Sequence, residues 1–327
     1  MRLFSVHSLV AAAAAVLWSS GVSHACEPVP STGFGERTRP FVASAQYFGH
    51  TSIIKCTTRE GIERERLSLA AIHDSNPLLY GISPSVKDMF VEPFKGVPPV
   101  ANYCCTVFKH HHGLGLADYV RDLSSKSKDR LLPNIFVQLI TAIQYLHRLG
   151  WAYGDLTPEH VAIRYTGVRN PPKVILTDLS GAQHVWSREQ ISSAGTHGYL
   201  PPEDYFGKPV NLYKRDSWML GATLYAAYTG RPPYGFDYFE NTTMTRSWTT
   251  TYTIWWMRSI VMTGENTFKP IFGSNNGHLM RLMNTLLKCR AEDRPTLGGL
   301  DASLIFSLAA KNKPIAFLGQ MWSKLVS

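Results

Sequence analysis

A long apolar segment that runs straight into a short polar one constrains this chain more than any other feature. Leu131–Leu149 has the period of a buried helix and is stopped by Gly150. Directly behind it stands Ala152-Tyr-Gly-Asp-Leu-Thr-Pro-Glu-His-Val161, with Asp155 near its middle, and 23 residues later comes Asp178 in Ile175-Leu-Thr-Asp-Leu-Ser180. Upstream the pattern is different. The apolar and β-branched runs Phe41–Phe48, Thr51–Cys56, Leu78–Ile82, Met89–Glu92 and Tyr103–Phe108 read as strands. One helical stretch interrupts them, Ile62–Ile72, where Ile62, Leu69 and Ile72 recur at near-helical spacing. From Leu116 onward helices dominate, so the chain reads as α+β, a small sheet lobe followed by a larger helical lobe.

Five motifs in order and spacing give these lobes a family resemblance. Tyr153-Gly154-Asp155 stands where a protein kinase has His-Arg-Asp, and Asp178-Leu179-Ser180 where it has Asp-Phe-Gly. Gly195–Glu203 resembles the end of an activation segment. Asp216-Ser-Trp-Met-Leu-Gly221 resembles the start of the central buried helix, and Glu292-Asp-Arg294-Pro-Thr296 the late arginine motif. The resemblance covers about Phe41 to about Leu300 and implies a bilobed protein-kinase-like fold, with a reduced β lobe over 26–108 and a helical lobe over 109–327. It also implies roles. Asp155 would face a substrate hydroxyl and Asp178 would hold a metal on the phosphates. Lys55 in Ile53-Ile54-Lys55 would contact the nucleotide, with Glu65, or else Glu63, as its helix partner. Glu203, Asp216 and Arg294 would hold the helical lobe together, Arg294 pairing with Glu203. The strand carrying Lys55 would neighbour Tyr103–Phe108, so Cys56 would pair with Cys104 or Cys105; successive strand residues face opposite ways, and only one of the two can reach.

The chemical parts depart from the family more than the structural ones. Gly154 replaces the arginine that meets an activation-loop phosphate, so Ser192, Ser193 and Thr196 are expected to be solvated loop hydroxyls rather than switches. Thr157 replaces a lysine and supplies no charge to a phosphoryl transition state that needs it. His160 replaces the asparagine that binds the second metal, and imidazole is a poor ligand for magnesium. Ser180 replaces a glycine, a milder change. Gly33-Phe-Gly35 stands where a glycine loop would be, yet its third glycine position is Thr38, and Pro28, Pro30 and Pro40 surround it. Proline is excluded from central strands, so the loop is read as absent. The expected cofactor is then none, or ATP bound weakly with magnesium or manganese.

Residues 1–25 carry one arginine, no acid, the apolar run Leu9–Trp18 and small residues at Ser23 and Ala25, the pattern of a secretory signal peptide. The whole chain has a net charge of +9, one less without Arg2. That excess favours acidic surfaces, membrane surfaces included. The basic residues are scattered, without runs or aromatic interleaving, which argues against a nucleic-acid partner. Five cysteines without metal-ligand spacing suggest one disulfide rather than a framework. His110–His112 reads as solvated, Ile254-Trp-Trp-Met257 as a packed helix, and Asp237–Phe272 as extra length containing the glycosylation acceptor Asn241-Thr-Thr243.

A secreted kinase-like domain with glycine at 154 and no glycine loop resembles the rhoptry and dense-granule kinase-like proteins of apicomplexan parasites. It is most similar to the subgroup lacking that loop, which includes active kinases and the bradyzoite pseudokinase of the cyst wall. The resemblance implies a location in the parasitophorous vacuole lumen or cyst wall, vacuolar or cyst-wall proteins as partners, and a binding or scaffold role. The alternative is an unusual Ser/Thr kinase that uses Lys55, Asp155 and Asp178 with one metal.

Overall fold

Why the two halves of the sequence part company is visible in the structure, a computed structural model that describes residues 41–47, 50–75, 94–95, 104–109, 113–164, 171–192, 195–238 and 245–310. Two compact units form, divided between residues 109 and 113 among those described. The signal-peptide reading, Gly33-Phe-Gly35 with Thr38, the candidate strands Leu78–Ile82 and Met89–Glu92, His110–His112, Ser193 and Asn241–Thr243 all lie outside the described residues.

The first unit is a four-stranded antiparallel sheet with one helix. Strands β1 (Phe41–Tyr47), β2 (His50–Thr57), β3 (Phe94–Lys95) and β4 (Cys104–Lys109) lie in the order β1-β2-β4-β3. Helix α1 (Arg59–Asp74) starts earlier than its apolar period suggests, because the Thr58 hydroxyl accepts from the Gly61 N–H at 3.2 Å and caps the first turn. Its Ile62, Leu69 and Ile72 are buried.

Cys56 and Cys105 are direct cross-strand partners on β2 and β4, and a disulfide joins them. Cys104, which faces the other way, is disulfide-bonded as well, so the expectation of a single bridge was too low. Closing a loop across a sequence separation of 49 stabilises by roughly 4 kcal/mol in the chain-entropy picture. Thiol labelling of the denatured, non-reduced protein is expected to mark Cys289, the free and buried cysteine among the described residues, and to spare Cys56 and Cys105. Labelling of either would remove the bridge.

The second unit is mainly helical. Its strands β5 (Leu114–Gly115), β6 (Trp151–Ala152), β7 (Val161–Arg164), β8 (Lys173–Leu176) and β9 (Gln183–His184) make two small sheets, β5-β7-β8 and β6-β9. After the short α2 (Leu116–Arg121) comes α3 (Ser125–Arg148), which reaches six residues further upstream than Leu131 and contains Pro133. Proline cannot donate to the carbonyl four residues back. Here that carbonyl, on Asp129, accepts instead from Asn276 Nδ2 at 3.0 Å, so the helix continues through the proline.

Helix α4 (Leu212–Thr229) is buried on nearly all sides, as a central helix must be, and Gly230 ends it in the left-handed region at φ +80°. The helix packs closely at Gly221, where a Cβ would lie 2.8 Å from Leu287 Cγ. The hairpin β10 (Phe236–Tyr238)–β11 (Thr245–Ser247), with α5 (Thr250–Thr263), occupies the extra length. Of the residues expected to pack there, Met257 is buried but Trp255 is 59% exposed. Helices α6 (Gly277–Leu286) and α7 (Ala302–Ala310) complete the unit. Among the described residues no helix is long and apolar enough to cross a membrane.

Candidate active site

In the first unit Lys55 sits on β2, paired across the sheet with Val42 on one side and Thr106 on the other. Its Nζ donates to Glu65 Oε2 at 2.7 Å, and both side chains are buried. The helix register decides between the two glutamates: positions two apart on a helix point in nearly opposite directions. Glu65 shares the buried side of α1, whereas Glu63 accepts from Arg66 at 2.7 and 3.0 Å on the exposed side. The Arg66 guanidinium holds the Glu63 carboxyl below its ordinary range.

In the second unit the Asp155 loop hangs from α4. Asp216, fully buried, accepts from the Tyr153 N–H at Oδ2 (2.7 Å) and from the Gly154 N–H at Oδ1 (2.9 Å), and His147 Nε2 lies 2.8 Å from the same Oδ2. Thr223 Oγ1 donates to Leu156 O at 3.1 Å. Asp216 therefore spends its charge on backbone amides, which fits the structural role expected of it. Gly154 has φ +81°, and a Cβ there would lie 2.1 Å from Gly181 O. Glycine at 154 is thus a requirement of the backbone and not only a missing arginine. Arg215, which motif reading passed over, donates from Nη1 to Gly154 O at 2.6 Å and from Nε to Asp204 Oδ2 at 2.7 Å.

Around the two aspartates the polar groups are engaged with one another. Thr196 is exposed, as expected of a loop hydroxyl, and its Oγ1 also donates to Asp155 Oδ1 at 2.7 Å, a contact not expected from the sequence. A carboxylate at the end of the loop is a stronger acceptor than water. His160 Nδ1 donates to Asp155 O at 2.7 Å, which directs its Nε2 toward Asp178, 3.8 Å from Oδ2. Ser180 donates to Asp178 Oδ1 twice, from its N–H at 2.9 Å and its hydroxyl at 2.6 Å. The serine therefore fixes the carboxylate's orientation, a larger part than the mild change read from sequence. Thr157 is buried and neutral. One carboxylate and one imidazole offer a mixed oxygen and nitrogen pair to a divalent ion, suited to manganese better than to magnesium. Among the described residues no group of three or more histidine, cysteine or acidic side chains could hold a metal.

Glu203 and Arg294 meet in a two-pronged pair, Nη1 to Oε1 at 2.6 Å and Nη2 to Oε2 at 3.1 Å. A small sheet unit, a helical unit, a loop tied to a buried central helix and this late ion pair define a protein of the kinase fold class. The protein kinase domain family matches residues 85–304, and the chain belongs to that family. Individual relatives share less. The chain is similar to serine/threonine-protein kinase RUNKEL of Arabidopsis thaliana, 33% identical over 99 residues, 29% of this chain and 7% of that one. It is similar also to probable serine/threonine-protein kinase fhkD of Dictyostelium discoideum, 30% identical over 122 residues, 32% of this chain and 16% of that one. Serine/threonine-protein kinase PRR1 of Saccharomyces cerevisiae is 22% identical over 172 residues, 49% of this chain and 32% of that one. The chain spans about a third or less of the length of these relatives.

Proposed function

We propose that this chain is a secreted pseudokinase, a binding or scaffold module of the apicomplexan rhoptry and dense-granule kind, acting on vacuolar or cyst-wall proteins. The observation that carries the reading is His160. Its ring is held by the Asp155 carbonyl at 2.7 Å, so a second oxygen donor for magnesium is missing where phosphoryl transfer needs one. Buried, neutral Thr157 removes a cation from the same loop. The Cys56–Cys105 bridge supports a secreted location, because such bridges persist in oxidising compartments. Within the second unit Asp155 and Asp178 are assigned to residual binding of ATP with magnesium or manganese, of low affinity, and Lys55 is the corresponding nucleotide-binding candidate of the first unit.

The alternative, an atypical Ser/Thr protein kinase, is favoured by the intact Lys55–Glu65 pair at 2.7 Å and by the serine/threonine kinases among the relatives. Labelled ATP and a mixed protein substrate separate the two readings when the protein is compared with its Asp155→Ser variant. Magnesium-driven incorporation is expected to stay within a few-fold of the variant, with any residual turnover higher in manganese. Robust magnesium-dependent phosphorylation abolished in Asp155→Ser would make the chain an enzyme.

A further inference from the structure

We propose that Arg215 is a positioning residue, a built-in clamp that fixes the Asp155 loop to residues 195–204 without phosphorylation of that segment. The inference rests on geometry within the second unit and holds under either reading of activity. Arg215 is 2% exposed, and a guanidinium buried so deeply is costly unless its charge and donors are met. It reaches Gly154 O at 2.6 Å and Asp204 Oδ2 at 2.7 Å from its place on α4. Gly195, at φ +142°, passes directly over it: a Cβ there would lie 2.4 Å from Nη2. Three segments distant in sequence meet on one planar cation.

Position 154 itself is closed to the arginine that would meet a loop phosphate, since the Gly181 carbonyl fills the space. The cation comes instead from α4, and its counter-charge is an encoded carboxylate. Burial pushes the Asp204 carboxyl up, against the pull of the Arg215 guanidinium. A phosphate is added and removed, whereas Asp204 is always there. Pairs as buried as this one, 2% and 4% exposed at their side chains, are little screened by salt. Within the same segment Thr196 Oγ1 donates to Asp155 Oδ1 at 2.7 Å, a second contact between that segment and the Asp155 loop.

Hydrogen exchange of the full disulfide-intact protein, read by mass spectrometry, tests this. In Arg215→Met, exchange at residues 153–156 and 195–204 is expected to accelerate at least about tenfold while the α3 core keeps its protection. Asp204→Asn, nearly isosteric, is expected to accelerate the same peptides less, which serves if Arg215→Met does not fold. Phosphatase treatment of the unaltered protein is expected to change nothing. Unchanged exchange at these peptides in both variants, acceleration spread evenly through α3, or a loss of protection on phosphatase treatment would each overturn the clamp.

Discussion

Restoring arginine at position 154 is expected to destabilise this protein rather than activate it. Gly154 is at φ +81°, where a residue with a Cβ costs about 1–2 kcal/mol. The Cβ would also lie 2.1 Å from Gly181 O, and Gly181 cannot withdraw freely, because its own neighbour is Asp155 Cβ, 2.7 Å from where a Cβ at 181 would stand. Overlap of this kind adds about 1–3 kcal/mol. Gly154→Arg should therefore lose about 2–5 kcal/mol, a large part of the 5–15 or so that hold a domain together, and lower the melting temperature on the order of 10 °C. Gly154→Ala should show most of the same loss, since both terms arise at Cβ. A Gly154→Arg protein that melts with the parent, or gains magnesium-dependent phosphorylation, would mean that the loop can separate from Gly181.

How much of this was legible in the sequence depends on the kind of interaction. Apolar period placed Leu131–Leu149 and the buried face of α1, because burial repeats with the helix. It did not carry the α3 start back to Ser125, since the start depends on the Ser124 hydroxyl accepting from Ser127 N–H and on Asn276 taking over a carbonyl that Pro133 leaves. The five motifs marked Asp216, Glu203 and Arg294 because those residues act through fixed backbone and ion-pair contacts. The partner of Lys55 stayed open between Glu63 and Glu65 until the cap at Thr58 set the register. Arg215 and the contact of Thr196 were missed for one reason: each acts through a contact to a residue far along the chain, on Gly154 and Asp155 respectively. A signal for Arg215 was nonetheless present. A guanidinium next to Asp216 in a helix as apolar as Trp218–Tyr228 must be answered by something inside the protein.

The other large effect is expected at the late ion pair. Arg294 has a fully buried side chain, and all three of its nitrogens are used: Nη1 and Nη2 on Glu203, Nη1 also on Lys214 O at 3.2 Å, and Nε on Lys288 O at 3.1 Å. Its guanidinium carbon lies 4.9 Å from the centroid of the Trp218 ring on α4. Removing one partner from such a pair costs about 3–5 kcal/mol, because the other charge stays buried without an answer. Glu203→Ala leaves a buried cation without its counter-charge, whereas Arg294→Ala leaves a carboxylate that is 15% exposed but opens space under Trp218. Both variants should unfold at clearly lower denaturant than the parent. Asp155→Ala should not: its carboxylate is 21% exposed and gives up the hydrogen bond from Thr196, worth about 1 kcal/mol. Denaturant midpoints of the three variants check the ordering. Equal midpoints would show that the Glu203–Arg294 pair does not hold the second unit together, whereas a gap of at least about 2 kcal/mol in favour of Asp155→Ala follows from the burial of the pair and the exposure of the site.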